Sequence, residues 1–304
     1  MEALTGILDI VKNIGVISTL KIIKVTSTPE GVIAEAIDGQ FSPGMAYAVA
    51  VGGCATGDKP ASVICRGELP GSFVEFDGTI GLGRLSVLKE YLEFHKDSEA
   101  TIVKETRGLA LAPIEIKFDN GSGSLSWYRF SSGAMTREFV KIPLMQRPVA
   151  DVTFSPDEKG IRLFNHWTRD AKKTNRLNFW PCMNARGKLY FSFDVRTPSN
   201  STIRFEFASG LPFVSLAPYT YPAEIVAEIL SLAKDAKSVA MSFSNVGELR
   251  IHVTSELGRY EFIVLGDEHL ILMWNKADDW PQVYHIDRAV SDDASMHHDW
   301  EPEL

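Results

Sequence analysis

The sequence predicts an α+β fold in two similar halves, and three observations carry that prediction. Four segments have the apolar spacing of helices, and many short stretches between them have the alternating or β-branched character of strands. The order helix, strands, helix, strands runs twice along the chain. With 304 residues there is room for two domains of about 150 residues, each able to bury a core.

The first helical segment, "EALTGILDIVKNIGVI", sets Leu4, Ile7, Leu8 and Val11 on one stripe, and "LKIIKVTST", "GVIAEAID" and "MAYAVAV" follow as strands. In the second, "LGRLSVLKEYLEFHKD", Leu85, Leu88 and Leu92 stand at helical spacing, ahead of the strands "ATIVKET" and "IEIKFD". Residues 131–151 have no clear period, begin with small residues and contain Pro143 and Pro148, which suits an exposed connector. The third segment, "SPDEKGIRLFNHWTRDAKK", opens with Ser155 as N-cap, Pro156 at the first helical position and Glu158 completing a capping box. Strands "KLYFSFDV" and "TIRFEFA" come next. In the fourth, "YPAEIVAEILSLAKDAKSVAMSF" (221–243), Ile225, Val226, Ile229, Leu232 and Ala233 form the buried face of a helix that runs straight into a strand. "ELRIHVTS" and "RYEFIVL" complete the series. Segments 80–108 and 221–247 share one plan: helix, Lys-Asp turn, strand ending in Gly.

Apolar residues at 45% and charged residues at 23% are those of an ordinary globular chain, and no stretch reaches the roughly 20 apolar residues of a membrane span. The N-terminal stretch lacks a basic region and carries Asp9 and Lys12 within its apolar part, so no signal peptide is expected. Three cysteines, Cys54, Cys65 and Cys182, form no disulfide framework, which points to a reducing, intracellular setting. The net charge of −8 is uneven. From Asn275 to Leu304 eight acids face Lys276 and Arg288, a balance of −6, which leaves −2 on residues 1–274. Between Arg169 and Lys188 six bases face Asp170 alone, a stripe able to meet phosphate. A solvated loop would have the same composition.

Candidate chemistry is sparse. His297 and His298 beside Asp293 and Asp299 lie in a tail poor in apolar residues, so no metal site is expected there. "VGGCATG" and "GTIGLGRL" lack the Lys and Ser/Thr of a phosphate-binding loop, and no nucleophile motif stands in a convincing context. The expectation is a protein with no catalytic residue and no cofactor.

With this element order the sequence resembles the DNA sliding clamps, the two-domain kind typified by proliferating cell nuclear antigen and by the clamps of T-even-type bacteriophages. The resemblance covers roughly residues 1–274, rests on the helix-to-strand passages quoted, and sets "DEHLILMW" (267–274) where such clamps place their last strand. No short motif supports it. It implies the DNA-clamp fold: two similar domains, each with two helices on one face of antiparallel sheets, in a head-to-tail ring. The corresponding division is 1–130, an N-terminal clamp domain; 131–150, an interdomain connector; 151–274, a C-terminal clamp domain; and 275–304, an acidic, flexible tail. The implied function is that of a polymerase processivity factor of viral, bacteriophage type, acting in the cytoplasm of the host cell. Its implied partners are double-stranded DNA, a DNA polymerase and a clamp-loader ATPase, with three chains per ring and no membrane.

Such a ring needs diffuse positive charge near phosphates and no base readout. The candidates are Lys12, Arg84, Lys89, Lys96, Arg169, Lys172, Lys173, Arg176, Lys234 and Lys237; singly each reads as a surface residue, and only the set carries weight. Family members dock partner peptides beside the connector, where Phe139, Val140, Ile142, Leu144 and Met145 form an apolar run. Packing on the sheet below would produce the same run. Two features depart from the family pattern: the long tail, and the Phe164, Trp167, Phe179 and Trp180 aromatics around the third helix. Two rivals stay open. One is a monomeric or dimeric clamp-like factor binding DNA by one basic face. The other is a β-rich virion structural or carbohydrate-binding protein using Trp127, Tyr128, Trp167 and Trp180.

Overall fold

The computed structural model describes residues 1–38, 62–95, 99–107, 110–121, 123, 125–142, 148–173, 177–193, 203–217, 219–268, 270–275 and 280–285. The expected strand "MAYAVAV" lies outside them.

Helix α1 (Ala3–Asn13) turns Ala3, Ile7, Ile10 and Val11 inward and tightens into one further turn, Ile14–Val16. Strands β1 (Ile22–Thr28), β2 (Gly31–Ile37), β3 (Val63–Pro70) and β4 (Gly78–Gly83) pair in the order β4-β1-β2-β3. Helix α2 (Leu85–Phe94) follows, then the antiparallel β5 (Glu99–Arg107), β6 (Ala110–Asp119) and β7 (Leu125–Arg129). A short helix α3 (Gly133–Phe139) leads to β8 (Ala150–Phe154).

The second half repeats the first. After α4 (Glu158–Lys173), strands β9 (Asn178–Met183), β10 (Leu189–Phe193), β11 (Arg204–Ala208) and β12 (Tyr219–Pro222) pair as β12-β9-β10-β11, the same order as β4-β1-β2-β3. Helix α5 (Ala223–Leu230) precedes β13 (Ser238–Ser244), β14 (Glu248–Thr254) and β15 (Arg259–Leu265), which pair as β5, β6 and β7 do. Even the closing bridge recurs: Ser131 pairs with Gly81 of β4, and β16 (Asp267–Glu268) pairs with β12.

One seam joins the halves. β15 pairs antiparallel with β3, from Arg259 opposite Glu68 to Val264 opposite Val63, so that eight strands form one sheet. A single apolar core runs between helices and sheets through both halves. The core of the second half is aromatic: Phe164 of α4 lies 5.0 Å from Phe179, 5.6 Å from Phe191 and 6.1 Å from Phe207, ring centre to ring centre. The helical aromatics that exceed what a DNA-facing helix needs are therefore packing residues.

Four local features differ from the sequence expectation. Helix α4 starts at Glu158, because Asp157 Oδ1 accepts from the Gly160 N–H at 2.6 Å, a stronger cap than Ser155 since a carboxylate also answers the helix dipole. Helix α5 ends at Leu230, where the Ser231 hydroxyl donates to the Glu228 carbonyl at 2.6 Å and the chain tightens over Ser231–Lys234. The connector contains α3, capped by Ser132, whose Oγ accepts from the Met135 N–H at 3.2 Å. Strand β17 (Leu270–Asn275), in the stretch expected as the last strand, pairs with β18 (Trp280–His285), which lies in the segment expected to be a flexible tail.

Candidate nucleic-acid interface

Packing between elements sets the four long helices in one row. α1 packs on α2, and α4 packs on α5. α1 is tied to the second half where Ser255 Oγ and Tyr260 OH, at the start of β15, both donate to Asp9 Oδ2, at 2.9 and 2.6 Å, and the chain just after α1 reaches α5 where the Ser18 N–H donates to Glu228 Oε2 at 3.1 Å. Burial, then the adjacent Asp9 charge, pushes the Tyr260 phenol up, so it stays a proton donor across this junction. The row therefore runs α2, α1, α5, α4.

Each helix buries one line against the sheets and exposes the opposite one. On α4 the buried line is Gly160, Phe164, Thr168 and Ala171. Opposite it, at helical spacing, stand Arg162, His166, Arg169 and Lys173, with Lys159 beside them. Gly160 brings this helix close, since a Cβ there would lie 2.4 Å from the Phe207 carbonyl oxygen.

The residues expected to meet phosphate divide sharply. Lys12, Arg84, Lys89 and Arg169 are exposed and have no acidic partner within ion-pair distance among the described residues. Arg84 caps α2 in a left-handed conformation, φ 47°, and Lys89 sits beside Glu90 and Glu93 on an acidic face. Lys172 is bound to Glu224 of α5 at 2.5 Å, and that hydrogen bond, with the Glu224 charge, holds its pKa above the usual lysine range. Lys173 lies 3.4 Å from Asp170, Lys234 3.8 Å from Asp235 and Lys237 3.3 Å from Glu256. Lys96 and Arg176 lie outside the described residues. Lys159 and Arg162 are not among the residues that charge density along the sequence picks out, since the dense basic run begins at Arg169; the i, i+4, i+7, i+11 stripe from Arg162 to Lys173 is the signal that finds Arg162.

Arg162 and Lys234 also flank a cleft of about 880 Å³ between the first turns of α4 and the tight turn after α5, with Asn165 and Ser231 in its wall. Neither acidic outward residue of α5 is spare, because Glu224 holds Lys172 and Glu228 holds Ser18.

On the opposite face of the sheet, Ile142 packs with Leu265 on the buried Ile37, Ile64 and Ile263. Phe139 ends α3 with its ring 5.5 Å from Lys21 Nζ, and Val140 is buried. Of the apolar run, Ile142 alone is seen on this patch; Leu144 and Met145 lie outside the described residues. The aromatics weighed as a carbohydrate surface do not form one: Tyr128 and Trp180 are buried and Trp167 packs on the core, which leaves Trp127 at 50% exposure. Among the described residues no helix is long and apolar enough to cross a membrane.

No family model matches the chain, and no curated protein matches its sequence. Solved structures do match. Proliferating cell nuclear antigen (PCNA) from Thermococcus kodakaraensis superposes with a TM-score of 0.53 at 15% identity, over 88% of this chain and 98% of that one. The protein from Entamoeba histolytica gives 0.54 at 14%, over 85% and 95%. A. fulgidus PCNA, solved with the C-terminal region of FEN-1 bound, gives 0.52 at 10%, over 87% and 96%. At these identities the likeness is one of fold, and it runs through nearly the whole of each clamp: this chain has the PCNA-like sliding-clamp fold.

Proposed function

We propose that this chain is a DNA sliding clamp, a processivity factor that closes as a head-to-tail trimer around duplex DNA and tethers a DNA polymerase without catalysing a reaction. The observation that carries this reading is what the internal repeat leaves unpaired. Within the chain, β15 pairs with β3. Their counterparts by position in the repeat are β7 and β11, and among the described residues neither has a strand on its outer edge. Repeating the β15–β3 seam between chains, β7 of one on β11 of the next, uses both open edges and continues the helix row. Two domains per chain then close as six around an opening of duplex width.

The division into domains 1–130 and 151–274, joined by the connector 131–150, belongs to the same proposal. So do the clamp-loader partner and an action in the cytoplasm, that of the host if the chain is viral. The apolar patch under Ile142 is the proposed seat for a polymerase peptide. The likeness to a clamp solved with a FEN-1 C-terminal region supports a peptide-docking role.

Light scattering after size exclusion, over a range of concentrations, tests the ring. A mass near three times 33.7 kDa is expected. A monomer at every concentration would remove the ring and leave a factor that binds DNA by one face.

A further inference from the structure

Resting on the clamp reading above, we infer that the ring grips DNA through one helix per subunit, α4, and that the other three helices of the row stand back from the phosphates. The charges of the row carry this. α4 holds five bases, Lys159, Arg162, Arg169, Lys172 and Lys173, against Glu158 and Asp170, a balance of +3. α1 holds Asp9 and Lys12, a balance of zero; α2 holds Lys89, Glu90 and Glu93, a balance of −1; and α5 holds Glu224 and Glu228, a balance of −2. The duplex therefore meets attraction at α4 and neutrality or repulsion elsewhere, so a six-domain ring offers three basic ridges.

The geometry of α4 suits the task. Arg162, Arg169 and Lys173 project from the side opposite the buried Phe164 line. Eleven residues separate Arg162 from Lys173, about 16 Å of helix at 1.5 Å per residue. That length passes several phosphates of one strand, which follow one another at about 3.4 Å along the duplex axis. Among the described residues Arg162 is held only by the exposed Glu158, 3.8 Å away, a pair that a phosphate can displace. Lys172 is engaged by Glu224 of α5 and is left out of this ridge. Three cationic ridges fix no register along the sequence, and the DNA is free to tilt toward whichever ridge it meets.

The test uses the full chain and a fluorescently labelled duplex of random sequence, with affinity followed by anisotropy across a salt series. The variant Arg162→Ser/Arg169→Ser/Lys173→Ser is expected to bind at least about tenfold more weakly, with a salt slope shallower by about 0.9 for each phosphate left without its cation. The variant Lys12→Ser/Lys89→Ser is expected to stay within about twofold of the unmodified chain. Conversely, Glu90→Lys/Glu93→Lys should tighten binding by giving α2 the charge it lacks. All the altered residues are exposed, and unchanged solution mass and melting confirm that each variant is folded. Equal weakening by the first two variants, or weakening by the second alone, overturns the one-helix grip while the clamp reading stands. An unmodified chain that binds no duplex at any salt overturns both.

Discussion

The two halves of this chain are built to one plan from different materials. α1 and α4 open their halves, four strands follow in the same spatial order, α2 and α5 come next, and three strands close each half. Around α1 the shared core is aliphatic, with Ile7, Ile10, Val11, Ile23, Val25 and Val32; around α4 it is aromatic, with Phe164, Phe179, Phe191, Phe193 and Phe207. Outward charge differs as well, neutral or acidic on α1 and α2 and basic on α4. The comparison teaches that topology follows from the placing of apolar residues, which the two parts of the core satisfy with different side chains. The outward residues are free of that constraint, so the repeated fold can serve unequal roles.

The largest expected effect breaks the comparison at its core. Phe164→Ala removes the ring at the centre of the aromatic cluster and should lower the unfolding free energy by about 3–5 kcal/mol. Ile7→Val, in the aliphatic half, should cost about 0.5–1.5 kcal/mol. Urea unfolding measures both, and a Phe164 effect no larger than that at Ile7 would deny the second half its single hub.

A smaller effect sharpens the comparison at the helix starts. Both α1 and α4 carry a glycine in their first turns where the helix approaches its surroundings closely. A Cβ on Gly6 would meet the Phe73 ring at 2.4 Å, whereas one on Gly160 would meet the Phe207 backbone at 2.4 Å. A ring can turn and a strand carbonyl cannot without disturbing its ladder. Gly160→Ala should therefore destabilise by about 1–3 kcal/mol and Gly6→Ala by less, in the same unfolding experiment. The reverse ranking would mean that β11 yields more readily than the packed aromatic.

The smallest effect concerns Lys172. Lys172 and its partner Glu224 are both exposed, so Lys172→Ala should leave the thermal midpoint unmoved. A clear fall in melting temperature would show that the α4–α5 tie is a structural strut.

Much of the fold was legible because its signals are local. β1, β2, β5, β6, β10, β11, β14 and β15 alternate or carry β-branched residues and were readable as strands. β4 was not, because "GTIGLG" reads as a loop. Its glycines answer a tertiary demand: a Cβ on Gly81 would lie 2.1 Å from Thr136 Oγ1, and one on Gly83 2.6 Å from Ser131 Oγ, where the connector crosses. β9 was hidden by Pro181 and by burial on both faces, which erases alternation. α3, at seven residues, is too short to display a period.

The sequence by itself determined the repeat, the helix faces and the basic stripe, since each depends on residues within a few turns of one another. Only the tertiary structure decided which cations remain available. Lys172 is claimed by Glu224, 52 positions away, and Lys237 by Glu256, 19 away, while Arg162 and Arg169 keep the open ridge. It also decided that β15 joins β3 while, among the described residues, β7 and β11 keep open edges. Charge pairing and strand pairing join groups distant along the chain, and a linear pattern carries no record of which distant groups will meet.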